Sequence, residues 1–117
     1  MREIKFRGLR TDGKGWAYGF YSPVNVPVLG TLGHCINEYG FRAIDINFES
    51  LGQFSGIKDK TDKDIYEGDI DKNMGVVFYY EGAFFVGKSI SEAELLHTYY
   101  PKLEVIGNIH ENPELLK

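Results

Sequence analysis

The chain has 117 residues, 43% hydrophobic and 26% charged, with a net charge of −4. That composition fits one folded domain, or one domain with a subordinate lobe, and excludes a disordered chain. The acidic balance argues against a dedicated nucleic-acid binder, although five of the 13 basic residues (Arg2, Lys5, Arg7, Arg10, Lys14) fall in the first 14 positions.

The single cysteine, Cys35, leaves no internal disulfide. No apolar run approaches the ~18 residues of a membrane span, and the charged start lacks a signal peptide's apolar region. A soluble protein of a reducing cytoplasm, with no membrane partner, is the expectation. Glycine at 14 positions and eight each of Tyr and Phe indicate many short strands and tight turns.

Glu3 to Leu9 alternates as a half-buried strand, Asp12-Gly13-Lys14-Gly15 is a turn, and Trp16 to Tyr21 is a second strand that pairs with the first. Ser22 to Gly40, with Pro23, Pro27 and little periodicity, reads as a loop with one short strand near His34–Ile36. Phe41 to Phe48 alternates again, with neither face cleanly polar.

Gln53 to Asp71 is the most informative run. Gln53-Phe54-Ser55 ends a strand and Gly56-Ile57 leaves it. Lys58 to Asp64 has six charged residues in seven, the composition of a solvated loop. Ile65-Tyr66 restores the apolar signal, and Gly68 in Glu67-Gly68-Asp69 supplies a residue free to take positive φ. The next strand starts at Ile70. Further on, Gly75–Tyr80 and Ala83–Val86 flank Glu81-Gly82, the pattern of a two-residue hairpin. Their continuous apolar character predicts cover on both faces, one by the rest of the domain and the other by another element or another chain.

Ser91-Glu92-Ala93-Glu94 has the capping-box pattern and predicts a short helix over Glu92–Tyr99 that buries Leu95, Leu96 and Tyr99 and ends at Pro101. Leu103–Ile109 is a closing strand and Asn112–Leu116 a final helical turn. The whole reads as an α+β, mostly β chain: an N-terminal hairpin and irregular region over 1–48, then a β-roll with one short helix over 49–117.

The acids Asp59, Asp62, Asp64, Glu67, Asp69 and Asp71 invite a metal reading. An EF-hand loop from Asp62 would need an oxygen ligand at Tyr66, glycine at Glu67 and glutamate at Asn73, and it fails all three. Interleaved Lys58, Lys60 and Lys63 repel a cation, so acids near backbone amides of a turn are expected, with no metal or cofactor. Nothing in the cluster singles out a buried acid beside an ionised one, as hydrolysis requires. Cys35 sits next to His34, but strand neighbours face opposite ways, so His97 or His110 would have to serve as its base. Phosphate-loop, dinucleotide and nucleophile-elbow motifs are absent, and no catalytic residue is assigned. Tyr79, Tyr80, Phe84 and Phe85 on the hairpin are the stronger candidates, as core, as a self-association surface, or, combined with Lys5 and Arg7, as a single-strand-binding face.

Phe54-Ser55-Gly56-Ile57-Lys58-Asp59-Lys60 followed by Asp64-Ile65-Tyr66-Glu67-Gly68-Asp69-Ile70 resembles the signature of the YopX family, as do Met1–Arg7 (MREIKFR) and Leu103–Leu116 (LEVIGNIHENPELL) at the two ends. The resemblance implies a phage or prophage protein and an SH3-like barrel in the C-terminal half. In that barrel Gly56, Asp59, Ile65, Tyr66, Glu67, Gly68 and Asp69 would be structural. It carries no activity with it. The chain departs from the family at Asp71, where an apolar residue is usual, so burial of that strand's end is not implied. It departs again at Asp62, where glycine is common, so a different loop turn is expected. The resulting expectation is a non-enzymatic accessory protein that acts by self-association or by contact with a host or phage protein; a small nucleic-acid-binding barrel is the alternative.

Overall fold

In the computed structural model of the chain, which describes residues 4–26, 31–38 and 42–116, the backbone divides into two units, Met1–Gln53 and Phe54–Lys117.

The first unit is an antiparallel sheet in the order β4-β3-β2-β1, from β1 (Phe6–Leu9), β2 (Trp16–Val26), β3 (Thr31–Glu38) and β4 (Arg42–Asp45). The first hairpin forms as the alternation requires, with Leu9 opposite Trp16 and Phe6 opposite Gly19. Its turn is closed by the Arg10 amide on the Gly15 carbonyl (2.9 Å) and by Asp12 Oδ1, which accepts the Lys14 amide.

The expected loop over Ser22–Gly40 is corrected. Ser22–Val26 continues β2, and Thr31–Glu38 pairs with it from Phe20↔Asn37 to Val26↔Thr31. Among the described residues β1 pairs with β2 only as far as Gly19, and beyond that point the pairing shown for β2 is with β3, where Pro23 lies opposite His34. Residues 27–30 and 39–41, and the family-like first three positions, lie outside the described residues. The strand read over Phe41–Phe48 is shorter, β4 alone. Ile46 bridges Arg10, and Phe48–Ser50 is a 3-10 turn capped by Asn47. Ala17, Ile36, Ile44 and Ile46 form this unit's core, flanked by Phe6, Tyr21 and Leu51.

β5 (Gly52–Lys58) begins beside β1, with Gln53 opposite Phe6. In the second unit it pairs with β6 (Asp64–Tyr66), Lys58 opposite Asp64 and Phe54 opposite Tyr66. The register slips between those pairs, and Gly56 takes the positive φ (87°) there, as a glycine at a bulge does.

A second antiparallel sheet, in the order β10-β9-β8-β7-β11, comprises β7 (Asp69–Asp71), β8 (Gly75–Tyr80), β9 (Ala83–Gly87), β10 (Glu94–Leu95) and β11 (Val105–Asn108). The mostly β class holds. The SH3-like barrel is not closed, since β10 and β11 stay at opposite edges of an open sheet. One face of that sheet carries the core: Val77, Phe84, Val86 and Val105 pack with Ile65, Leu96 and Leu103.

The predicted helix is corrected too. Ile90–Glu92 is a 3-10 turn, Glu94 and Leu95 pair with Val86 and Phe85 as β10, and the α-helix α1 is only Leu96–Tyr99. The capping box does not form, because strand pairing takes Glu94 and the Ser91 hydroxyl meets that of Ser89 (3.1 Å) instead. Leu95 is therefore exposed while Leu96 is fully buried. Pro101 lies in a 3-10 turn, Tyr100–Lys102, that carries the chain on from α1.

Candidate interaction surface

The acids of the central run separate by burial. Asp59, Asp69 and Asp71 are buried, and Asp59 is the exception within the loop over Lys58–Asp64 expected to be solvated. Each buried carboxylate is an acceptor for backbone. Asp59 Oδ1 takes the amides of Thr61 (2.8 Å) and Lys63 (3.0 Å) and the Thr61 hydroxyl (2.7 Å), while Oδ2 takes the Val105 amide (2.9 Å). Burial opposes its ionisation, but these hydrogen bonds outweigh burial and hold the carboxyl below its ordinary range.

Asp69 Oδ2 accepts the Tyr66 amide (2.8 Å) across the Glu67-Gly68 turn. Gly68, at φ 89°, donates to the Val77 carbonyl and accepts from the Ile109 amide, both at 2.9 Å, so it joins β8 to the end of β11. Asp71 accepts from the amides of Met74 and Glu104 (2.8 Å each) and Asn73 (3.1 Å) and from the Tyr99 hydroxyl (3.4 Å). Burial, and then the Asp71 charge, push the Tyr99 phenol up. Where the family would place an apolar residue, Asp71 is nevertheless buried, its charge met by amides. Asp62 takes φ 71°, the left-handed conformation natural to glycine.

Tyr66 and Ile65 are buried, Glu67 is half-buried, and all seven signature positions lie in this strand-and-turn frame. Among the described residues no group of three or more His, Cys, Asp or Glu side chains is placed to hold a metal.

In the first unit, Cys35 donates to Asp45 Oδ1 (3.3 Å), and burial followed by that contact pushes its thiol up, the opposite of an activated nucleophile. His34 faces the other way, its Nδ1 2.6 Å from the Tyr21 hydroxyl and its ring 4.3 Å from that of Phe48. His97 and His110 belong to the second unit, beside Tyr100 and Gly68 respectively. Arg7 is only 6% exposed, with its guanidinium 4.3 Å above the Trp16 ring, so it is withdrawn from the expected basic face; Lys5 is half-buried.

In the aromatic hairpin Tyr79 and Tyr80 are exposed, whereas Phe78 and Phe85 are half-buried. The register Val77↔Val86, Phe78↔Phe85, Tyr79↔Phe84, Tyr80↔Ala83 sends alternate pairs to opposite faces. Phe84 therefore goes to the core (7% exposed) with Tyr79 at its edge, their centroids 5.2 Å apart, and Phe84 is removed from the expected surface. Phe85 and Tyr80 share the outer face with Phe78. A row crosses three strands there: Phe78 stacks on Phe85 at 5.8 Å, and Phe85 lies opposite Leu95, which is 41% exposed. Tyr80, 44% exposed, continues the face toward the hairpin tip.

At the other end Ile70, opposite Val76, is buried, and the 3-10 turn Pro113–Leu116 lies near it. A cleft of about 380 Å³ lies there, lined by Ile70, Leu115 and Leu116 together with Asp71, Lys72 and Lys88. Sequence reasoning did not pick out Phe78, Lys72 or Lys88, and it placed Leu95 on the buried side of a helix. The signal that finds the first is the period-2 alternation within GVVFYY and AFFV, hidden because both faces are apolar.

The sheet edge is less open than its face. At β11 the amides of Val105 and Asn108, with that of the preceding Glu104, are taken by side-chain oxygens of Asp59, Asn112 and Asp71, which leaves them closed to strand addition.

These features define a mostly β chain whose open, amide-capped sheet is held by buried acids of one short signature. The chain belongs to the YopX family: the family model described as YopX protein matches residues 28–117. Its fold is similar over the full length of both chains to the crystal structure of protein EF1440 from Enterococcus faecalis, with 25% identity and a TM-score of 0.59. A comparison with curated proteins found no match. Among the described residues no helix is long and apolar enough to cross a membrane.

Proposed function

We propose that the protein is a non-enzymatic phage or prophage accessory protein of the bacterial cytoplasm that acts through protein–protein contacts made by the outer face of β8 and β9. The observation that carries this reading is the Phe78–Phe85–Leu95 row with Tyr80. These apolar side chains stand on the sheet face opposite the core, where burial against another surface is worth roughly 25 cal/mol per Å². The signature acids Asp59 and Asp69, with Asp71 beyond them, support a structural reading, because they spend oxygens on backbone amides that a catalytic or metal-bound carboxylate would have to release.

Affinity capture from a bacterial lysate with tagged protein, half of it nuclease-treated, tests the reading. A protein retained in both halves by the wild type and lost with Phe85→Arg is the expected result. Material that disappears only after nuclease would contradict it and favour a nucleic-acid role.

A further inference from the structure

The outer face of the second unit's sheet is laid out symmetrically about its central pair. Phe78 lies midway along β8 between Gly75 and Glu81, and Phe85 midway between Gly82 and Lys88. Each half is three residues, about 10 Å of strand. A two-fold axis over the Phe78–Phe85 stack would therefore carry the hairpin tip of one copy onto the opposite end of the hairpin of another.

The two ends are complementary. The tip presents Tyr80 and the carboxylate of Glu81. The other end presents the cleft lined by Ile70, Leu115 and Leu116 and by the exposed Lys72 and Lys88, with the Asp71 carboxylate beside them already engaged by backbone amides. Among the described residues Glu81, Lys72 and Lys88 make no ion pair within the chain.

We propose that the partner of this face is a second copy of the chain, stacked head to tail, so that Tyr80 of each copy seats in the cleft of the other and Glu81 meets its lysines. This rests on the contact reading above and names the partner it leaves open. Such a pairing is isologous: the same patch serves both copies and the assembly closes at two. Apolar rows meet at the centre, and the charged ends fix the direction, since the parallel alternative would set Glu81 against Glu81.

Sedimentation equilibrium on the full chain, with thermal melts to confirm folding, tests the pairing. The wild type should be a dimer at micromolar concentration. Phe85→Arg should raise the dimer dissociation constant at least about 30-fold, as loss of a central anchor does. Glu81→Lys and Lys88→Glu should each weaken it roughly tenfold, and the two together should return it to within about threefold of wild type.

A wild type that stays monomeric overturns self-pairing; loss of a captured protein by Phe85→Arg would then still stand for the contact reading. A dimer indifferent to Phe85→Arg places the interface elsewhere and overturns the proposal. A dimer broken by Phe85→Arg but not recovered by the charge exchange overturns the head-to-tail register. Leu95→Lys serves as the second face variant if Phe85→Arg fails to fold.

Discussion

The carboxylate of Asp59 accepts a hydrogen bond from the amide of Val105, 46 positions further along the chain, at 2.9 Å. One oxygen closes the charged loop locally and the other holds the edge strand β11, so a single side chain couples the turn to the sheet. Asp59→Ala leaves those amides without their partner and should lower stability by about 2–4 kcal/mol, measured by urea unfolding. A loss under about 0.5 kcal/mol, the range of an ordinary surface change, would contradict the role.

The same residue sets a pH dependence. Its folded-state carboxyl lies below the ordinary range, so its contribution is fully present above the unfolded value of about 3.9 and is lost as pH falls through the folded value. Asp59→Asn should flatten the fall in stability between about pH 5 and the acid limit, read from melts across that interval. An unchanged acid limb would place the titrating group elsewhere.

Tyr99 reports on Asp71. Burial raises its phenol first and the Asp71 charge second, so Asp71→Asn should bring the Tyr99 midpoint part of the way back toward its ordinary value, followed by NMR titration of the ring. A return to the full ordinary value would mean that burial is not the larger cause.

At Asp62, φ of 71° strains any side chain beyond Cβ, and a β-branched one most. Asp62→Gly should leave stability within about 0.5 kcal/mol, whereas Asp62→Val should cost roughly 1–2 kcal/mol by chemical denaturation. Equal effects would mean that the loop is not held in this conformation.

The second hairpin of the first unit rests on Gly19. A Cβ there would overlap the backbone carbonyl of Asn37, which cannot rotate away. Gly19→Ala should therefore destabilise by about 3 kcal/mol or more, and hydrogen exchange should show the loss in β2 and β3. Unchanged protection would contradict the register.

Strands with one dry and one wet face were legible in the sequence. Alternation placed β1, and Gly between apolar runs placed the β8–β9 turn. What stayed hidden was set by neighbours. The β2–β3 pairing runs through Pro23 and joins segments whose sequence shows no alternation, so only the partner strand reveals it. The capping box at Ser91 lost to the pairing of Glu94 with Val86, a contact eight positions away. The site was half legible for the same reason. The aromatic run marked the hairpin, but only the register assigned Phe84 to the core and Phe85 to the face.

The most direct measurement is the methyl NMR spectrum of the wild type across a hundredfold range of concentration. Val76, Leu95, Leu115 and Leu116, which lie on or beside the outer face, should shift together along one binding curve, while Val77, Val86, Leu96 and Leu103 in the core should hold still. Shifts confined to first-unit methyls, or none at any concentration, would contradict a self-pairing face.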